Sequence, residues 1–443
     1  MGATPGWLAA SIAGFGVRGA EVVAKLALYM LAARRLGDQE CGVLFLCLTW
    51  ITLAGTLSRC GTEKALNRLI AAELALHQGP AVKKLLRRGT LVTLAGGALV
   101  GLGTAAIAAL AADLLFHASS ARKALLATAL AVPCLSLAVT YAFALVGFGR
   151  TVLSQILQNL SWPLGLLAGV LAGVTGADQL MLIMAATQIA AVVAALAAFA
   201  QRRSQLEEDR PLAEGVEPLP TLWRTARPLY VVELVQVSIQ SLPVLLLGVF
   251  SDPAAVGVFS IALRASMLVL VVLLSLGLVA APRFAALHRQ QDWAGLAQVS
   301  RRTQLAGLVF GGGACLLLAV AGRPILALIG PHFTEGAPAL LVLLAGQFIN
   351  SAYAGQDSML AMTGHGSSLK VLNLLQLAVM LALCLILIPR FGAMGAALVT
   401  AWVTAQGAIL AAMASASFYP QSGPRFVMPL PPMMKQLLIR WAE

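Results

Sequence analysis

Charged residues are scarce in this sequence. Asp, Glu, Lys and Arg make up 11% of the 443 residues, against about 25% in an ordinary soluble domain. Aromatic residues are also few, at 6%. Hydrophobic residues reach 59%, and the mean hydropathy is +0.87. So few charged side chains cannot cover the surface of a soluble protein of this size, and the composition therefore excludes that class.

The sequence also lacks the motifs of common catalytic sites. It contains neither the GxxxxGK[ST] loop that binds ATP phosphates nor the HExxH zinc motif. The six cysteines form no CxxC pair, which indicates buried thiols rather than disulfides or a metal site. Nothing here supports an enzyme, and we expect no cofactor and no nucleic-acid partner.

Long hydrophobic runs are abundant instead. A membrane-spanning helix needs about 20 mostly apolar residues, and twelve runs of roughly this length predict an all-α polytopic membrane protein. We place the spans at 7–31, 41–60, 89–114, 123–148, 151–174, 179–200, 227–250, 255–280, 303–322, 338–362, 369–389 and 393–418.

One polar stretch, rich in charge and proline, divides these spans into two sets of six. The predicted organisation is an N-terminal six-helix lobe at 1–200, a cytoplasmic linker at 201–226, a C-terminal six-helix lobe at 227–420 and a cytoplasmic tail at 421–443.

The two halves repeat weakly under a shift of 215 residues. The shift aligns Arg68 with Arg283 and Gly149 with Gly364. Six spans per half is an even number, so both copies keep the same orientation. They should be related by a pseudo-two-fold axis along the membrane normal, an arrangement typical of transporters that bind substrate between their halves.

The distribution of basic residues predicts the orientation in the membrane. The net charge is +12, from 30 Lys and Arg against 18 Asp and Glu. With the N-terminus placed in the cytoplasm, 21 of the 30 basic residues fall in cytoplasmic loops, at the span ends beside them or in the tail, and 6 fall in or beside outward loops. By the positive-inside rule, both termini should be cytoplasmic.

Three charged residues share one face of the first span. Arg18, Glu21 and Lys25 are spaced i, i+3 and i+7, so they lie along one helix face. Each charge at that depth costs at least ~2.5–3.5 kcal/mol, which favours a wet cavity with a cationic wall and an internal carboxylate. The alternative is a self-neutralising ladder that only packs the bundle.

The seventh span carries a matching polar stripe. Glu233, Gln236 and Gln240 have the same spacing, and the shift of 215 aligns them with the stripe of the first span. We expect the two stripes to line one cavity. The alternatives are interhelical hydrogen bonds made by the glutamines and a direct pair between Glu233 and Arg18.

Further polar residues lie inside the eighth and tenth spans. Arg264 is in the middle of the eighth span, and its fork of donors suits a phosphate group; its alternative is a pair with Glu233 or Asp357. Tyr353 and Asp357 are one turn apart in the tenth span and either line the cavity or bridge helices. Glu21, Glu233 and Asp357 are the candidate carboxylates for coupling an ion or proton.

Three segments carry a family resemblance: RRLGDQECGVLFLCLTWITLAGTLSRCGTEKALNRLIA, VGVFSIALRASMLVLVVLLSLGLVAAPRFAAL and LNLLQLAVMLALCLILIPRFGAMGAALVTA. Over about 7–418, the chain resembles the polysaccharide or lipid-linked oligosaccharide flippases of the multidrug/oligosaccharidyl-lipid/polysaccharide exporter superfamily. The lipid II flippases of this superfamily typically carry two further helices after the twelfth. The sequence predicts twelve spans, so that subfamily is disfavoured.

The resemblance implies two six-helix lobes around a V-shaped cavity. Such a protein moves a polyprenyl-pyrophosphate-linked sugar from the cytoplasmic to the outer leaflet of the inner membrane, for lipopolysaccharide or exopolysaccharide synthesis. The cavity of the flippase branch tends to be cationic, and the resemblance implies that Arg18, Lys25 and Arg264 supply the positive charge here. Partners would be the lipid-linked oligosaccharide, membrane lipids, a polymerase and glycosyltransferases. The alternatives are an ion-coupled multidrug exporter of the same fold and a membrane polysaccharide polymerase or ligase.

Overall fold

The computed structural model describes residues 5–115, 119–202, 207 and 221–420, with side chains described at 16–109, 121–202, 207 and 221–420 except 278. All regular elements in these ranges are helical. Most of the predicted linker, at 203–206 and 208–220, lies outside the described residues, as does the predicted tail at 421–443.

The described chain forms two compact units. The first unit contains residues up to Val237 and Asp252–Ala254. Its helices are α1 (Pro5–Arg59), α2 (Thr62–Ala75), α3 (Gly79–Leu115), α4 (Ser119–Gly147), α5 (Thr151–Gln155), α6 (Ser161–Leu171) and α7 (Ala177–Ala200), and it also includes the first part of α8 (Leu222–Phe250).

The second unit contains Ser238–Ser251, which is the last part of α8, and the residues from Ala255 onward. Its helices are α9 (Pro253–Arg289), α10 (Trp293–Ala306), α11 (Gly312–Ile329), α12 (Ala337–Ala352), α13 (Gln356–Met362) and α14 (Gly366–Phe418). A π-helical turn, Gly307–Gly311, joins α10 to α11, and another, Ile156–Leu160, joins α5 to α6 in the first unit.

The twelve predicted spans all fall on helices. Nine helical stretches of described residues are long and apolar enough to cross a membrane. Two of them, α1 and α14, bend at Gly37 and Gly392, where φ is +80° and +52°, and each bent helix covers two predicted spans. The broken helix α5–α6 covers the remaining one. The prediction of an all-α polytopic membrane protein with twelve transmembrane helices is confirmed.

The tenth predicted span differs from the structure in one respect. The sequence predicts a continuous span at 338–362, but the helix breaks between α12 and α13. Gly355 has a φ of +84°, a left-handed conformation that glycine adopts readily and that departs from α-helical geometry. Tyr353 therefore lies in the break, and Asp357 lies in the first turn of a new helix.

The repeat of the two halves extends to the backbone. Gly149 and Gly364, which the shift of 215 residues aligns, both have positive φ angles, of +76° and +88°. Each follows the end of a helix and precedes the next one, α5 in the first unit and α14 in the second. The same local turn therefore occurs at the same place in both halves.

Two side chains near the bend of α1 cap the turn between α6 and α7. Arg35 Nη1 donates to the backbone oxygens of Val170 at 2.7 Å and Leu171 at 3.2 Å. Glu40 Oε2 accepts from the backbone nitrogen of Ala177 at 3.1 Å. A cation at a helix C-terminus and an anion at an N-terminus both stabilise the helix dipole and satisfy unpaired backbone groups.

We expect Glu40→Ala to lower the free energy of unfolding of the first unit by about 1 kcal/mol, the usual effect of losing an N-terminal cap. Asp38→Ala is the matched control, because the one hydrogen bond that Asp38 makes with a described residue comes from the backbone nitrogen of its neighbour Gln39. Thermal unfolding of the purified protein, followed by size-exclusion chromatography, measures both. Equal shifts in the two variants would contradict the capping role.

Candidate functional site

Arg18, Glu21 and Lys25 form a ladder of ion pairs on the first half of α1. Arg18 Nη1 lies 3.1 Å from Glu21 Oε2, and Lys25 Nζ lies 2.7 Å from Glu21 Oε1. The Glu21 side chain is only 8% exposed, whereas that of Arg18 is 59% exposed. The ladder therefore buries its carboxylate, keeps a net positive charge and presents a guanidinium at its surface.

The Lys25 ammonium has a second partner within the first unit. Its Nζ lies 5.2 Å from the ring centroid of Trp162 in α6, within the range of a cation–π interaction. The internal pairing agrees with the ladder that the spacing suggested, while a role in binding substrate stays a prediction.

The three residues of the polar stripe on α8 have different surroundings. Glu233 pairs with Lys64 of α2, and not with Arg18, whose partner is Glu21. The suggestion of a Glu233–Arg18 pair is therefore wrong. Gln236 is exposed in the first unit, whereas Gln240 lies in the part of α8 that belongs to the second unit. That the stripes of the first and seventh spans line one cavity stays a prediction.

Arg264 is half-buried on α9. Its Nη1 donates to the backbone oxygen of Ser260, one turn earlier, at 3.2 Å. Asp357 forms no ion pair with any described residue, and Glu233 pairs with Lys64. Within the second unit, the suggested pair of Arg264 with Asp357 is therefore not formed.

A polar cavity of about 260 Å³ lies within the second unit. It brings together two residues that the sequence singled out separately, Gln240 and Asp357. The rest of its polar lining comes from α12 and α14 and consists of amides and hydroxyls: Gln347, Asn350, Asn373, Gln376, Thr400 and Thr404. Tyr353 is not among the lining residues.

Sequence reasoning missed a buried ion pair at the end of α1. Arg59 and Glu63 are 8% and 1% exposed, and Arg59 Nε lies 3.4 Å from Glu63 Oε1. Arg59 Nη2 also donates to Thr56 Oγ1 at 3.1 Å. The two residues lie on either side of the break between α1 and α2, so helical spacing gave no signal for the pair.

The pair lies beside a tight junction between α1, α2 and α8. Gly61 has a φ of +74°, and a Cβ on it would lie 2.7 Å from the Ala226 backbone oxygen and 2.8 Å from Tyr230 Cβ. Lys64 of α2, three residues after Gly61, forms an ion pair with Glu233 of α8, the helix that also contains Ala226 and Tyr230. The end of α1 is thus fixed by charge and by close backbone contact.

Comparison with known proteins gives a family and a fold. The profile of a family described as "Polysaccharide biosynthesis protein" matches residues 6–288. No curated protein matches the chain.

Several solved structures share the fold at low identity. A lipid II flippase, MurJ, in an inward closed conformation is 13% identical, with a TM-score of 0.69 and coverage of 90% of this chain and 86% of that one. An inward-facing multidrug resistance MATE family transporter of the MOP superfamily is 12% identical, with a TM-score of 0.68 and coverage of 88% and 92%.

The MATE multidrug transporter DinF-BH in complex with R6G is 16% identical, with a TM-score of 0.63 and coverage of 93% and 95%. At these identities, the likeness establishes the fold.

Proposed function

The chain belongs to the polysaccharide biosynthesis protein family, and on this premise we propose that it is a flippase for a lipid-linked oligosaccharide. It moves a polyprenyl-pyrophosphate-linked oligosaccharide from the cytoplasmic to the outer leaflet of the inner membrane, by alternating access of its two lobes. Glycosyltransferases supply the substrate, a polymerase uses the product, and both termini are cytoplasmic.

The observation that carries this proposal is the persistence of positive charge inside the spans. Glu21 neutralises only one of the two cations it contacts, and the more exposed of these is Arg18. Arg264 is half-buried in a long apolar helix. A cation inside the bilayer is costly unless it meets an anion or water, and a pyrophosphate supplies an anion that matches the guanidinium fork.

We expect Arg264→Gln to reduce surface polysaccharide roughly ten- to hundredfold, because a hydrogen bond to a charged group contributes about 1.5–3 kcal/mol. The lipid-linked intermediate should accumulate at the cytoplasmic face. Arg264→Lys should retain part of the activity, because an ammonium keeps the positive charge but lacks the paired donors of the guanidinium.

The experiment uses a deletion strain complemented with each variant at equal membrane abundance. Arg283→Gln is the matched control, because Arg283 is an exposed arginine on the same helix beyond the predicted span. Polymer output unchanged in both Arg18→Gln and Arg264→Gln would remove the pyrophosphate role. A drug-susceptibility phenotype with normal polysaccharide would instead favour a multidrug exporter.

A further inference from the structure

The cavity of the second unit has unused hydrogen-bonding capacity. Two of its amides are engaged within the protein: Gln376 Nε2 donates to the Val403 backbone oxygen at 2.7 Å, and Asn350 Nδ2 donates to Gln347 Oε1 at 3.2 Å. The side chains of Gln240, Asn373 and Asp357 make no hydrogen bond with any residue that the structure describes. They line the cavity, so their donors and acceptors are available to a ligand.

The chemistry of this lining selects the ligand class. The single carboxylate, Asp357, disfavours an anion, and an apolar ligand would leave the polar groups without partners. A hard metal cation such as Ca²⁺ or Mg²⁺ takes oxygen ligands, which leaves the amide NH₂ groups of Gln240 and Asn373 unused. Sugar hydroxyls both donate and accept, as carboxamides do.

The size of the cavity fits the same class. Its volume of about 260 Å³ equals that of roughly nine water molecules at ~30 Å³ each. This is far more than one dehydrated ion occupies, and it is enough for a pyranose ring.

We propose that this cavity binds the sugar rings of the transported lipid through their hydroxyl groups, an inference that rests on the proposed function. Asn373 and Gln240 exchange hydrogen bonds with the hydroxyls, and Asp357 accepts from them. The carboxylate then acts in sugar recognition rather than in ion coupling.

The position of Arg264 is consistent with such a subsite. Leu263, Met267 and Leu270 of α9 line the cavity, and Arg264 directly follows Leu263 in the chain. Successive helical residues differ by about 100° in direction, so the arginine lies on the helix face adjoining the cavity wall. The pyrophosphate and the first sugar of the substrate are covalently joined, and they would use adjoining faces of one helix.

Calorimetric titration of the purified full-length protein in nanodiscs tests this assignment. The probes are inorganic pyrophosphate, sodium ions and the free oligosaccharide repeat released from the host's own surface polysaccharide. The variants are Asn373→Leu, which is similar in size and apolar, and Asp357→Asn, which keeps the shape and removes the charge. Gln290→Leu is the control, because Gln290 is an exposed amide following α9.

We expect Asn373→Leu and Asp357→Asn each to weaken oligosaccharide binding about tenfold, the effect of losing one or two good hydrogen bonds. Pyrophosphate binding should persist in both variants, which also shows that they are folded. Gln290→Leu should bind pyrophosphate and the oligosaccharide with the affinities of the wild-type protein.

The outcomes separate the two proposals. Unchanged oligosaccharide affinity in Asn373→Leu, with pyrophosphate binding intact, overturns the sugar subsite and leaves the flippase proposal standing. Loss of sodium binding in both cavity variants, with normal oligosaccharide affinity, identifies a cation site and also overturns the subsite. If the wild-type protein binds neither pyrophosphate nor the oligosaccharide, both proposals are overturned.

Discussion

Replacing Glu63 by glutamine is expected to destabilise the first unit by about 3–5 kcal/mol, the usual effect of removing one partner of a buried ion pair. Arg59 and Glu63 are 8% and 1% exposed, so the variant leaves a largely buried guanidinium without its countercharge. Steric trapping in bicelles gives the free energy of unfolding directly.

Two further variants show whether burial is the cause. Lys64→Met breaks the neighbouring pair with Glu233, whose side chains are 38% and 21% exposed, and should cost less than about 1 kcal/mol. Joint replacement of Arg59 by Met and Glu63 by Leu removes both buried charges and should recover most of the lost stability. If Glu63→Gln is as mild as Lys64→Met, the buried pair is not a stabilising contact.

The second large effect is expected at Gly96 in α3. A Cβ at this position would overlap the backbone oxygen of Ser58 in α1, and backbone cannot move aside as the end of a side chain can. We expect Gly96→Ala to force the two helices apart and to cost about 3 kcal/mol, the upper part of the range for overpacking. The same unfolding measurement in bicelles detects it.

A second glycine on the same helix provides the control. Gly103 has no heavy atom within 4 Å of the position its Cβ would take, so Gly103→Ala should be neutral or stabilise α3 by up to about 1 kcal/mol through helix propensity. If Gly96→Ala lowers the free energy of unfolding and Gly103→Ala raises it, close packing and not helix propensity requires glycine at 96. The same sign at both would contradict the contact.

The spans could be predicted because membrane insertion depends on length and hydropathy, which are local properties of the chain. The predicted span 255–280 lies inside α9 (Pro253–Arg289), and 179–200 lies inside α7 (Ala177–Ala200). The break in the tenth span was missed, because Gly355 is one of many glycines in the sequence, and nothing local indicates which of them takes a positive φ.

The candidate site was predicted only in part. Spacing on one helix was sufficient to place Arg18, Glu21 and Lys25 together, because a helix fixes the direction of each side chain. The partner of Glu233 could not be found in this way, because Lys64 belongs to another helix and is 169 positions away in the chain. Asn373 and Gln376 were missed for the same reason: amides in an apolar span gain significance only when they meet other polar groups.

The sequence by itself determined that this protein is helical, spans the membrane twelve times and carries cations within its spans, because hydropathy and helix periodicity act over a few neighbouring residues. Only the tertiary structure decided that Glu233 pairs with Lys64, that Arg59 and Glu63 are buried and that Gln240, Asp357 and Asn373 share a cavity. Burial and polar contact depend on which helices approach one another, and that approach is fixed by packing along the whole chain.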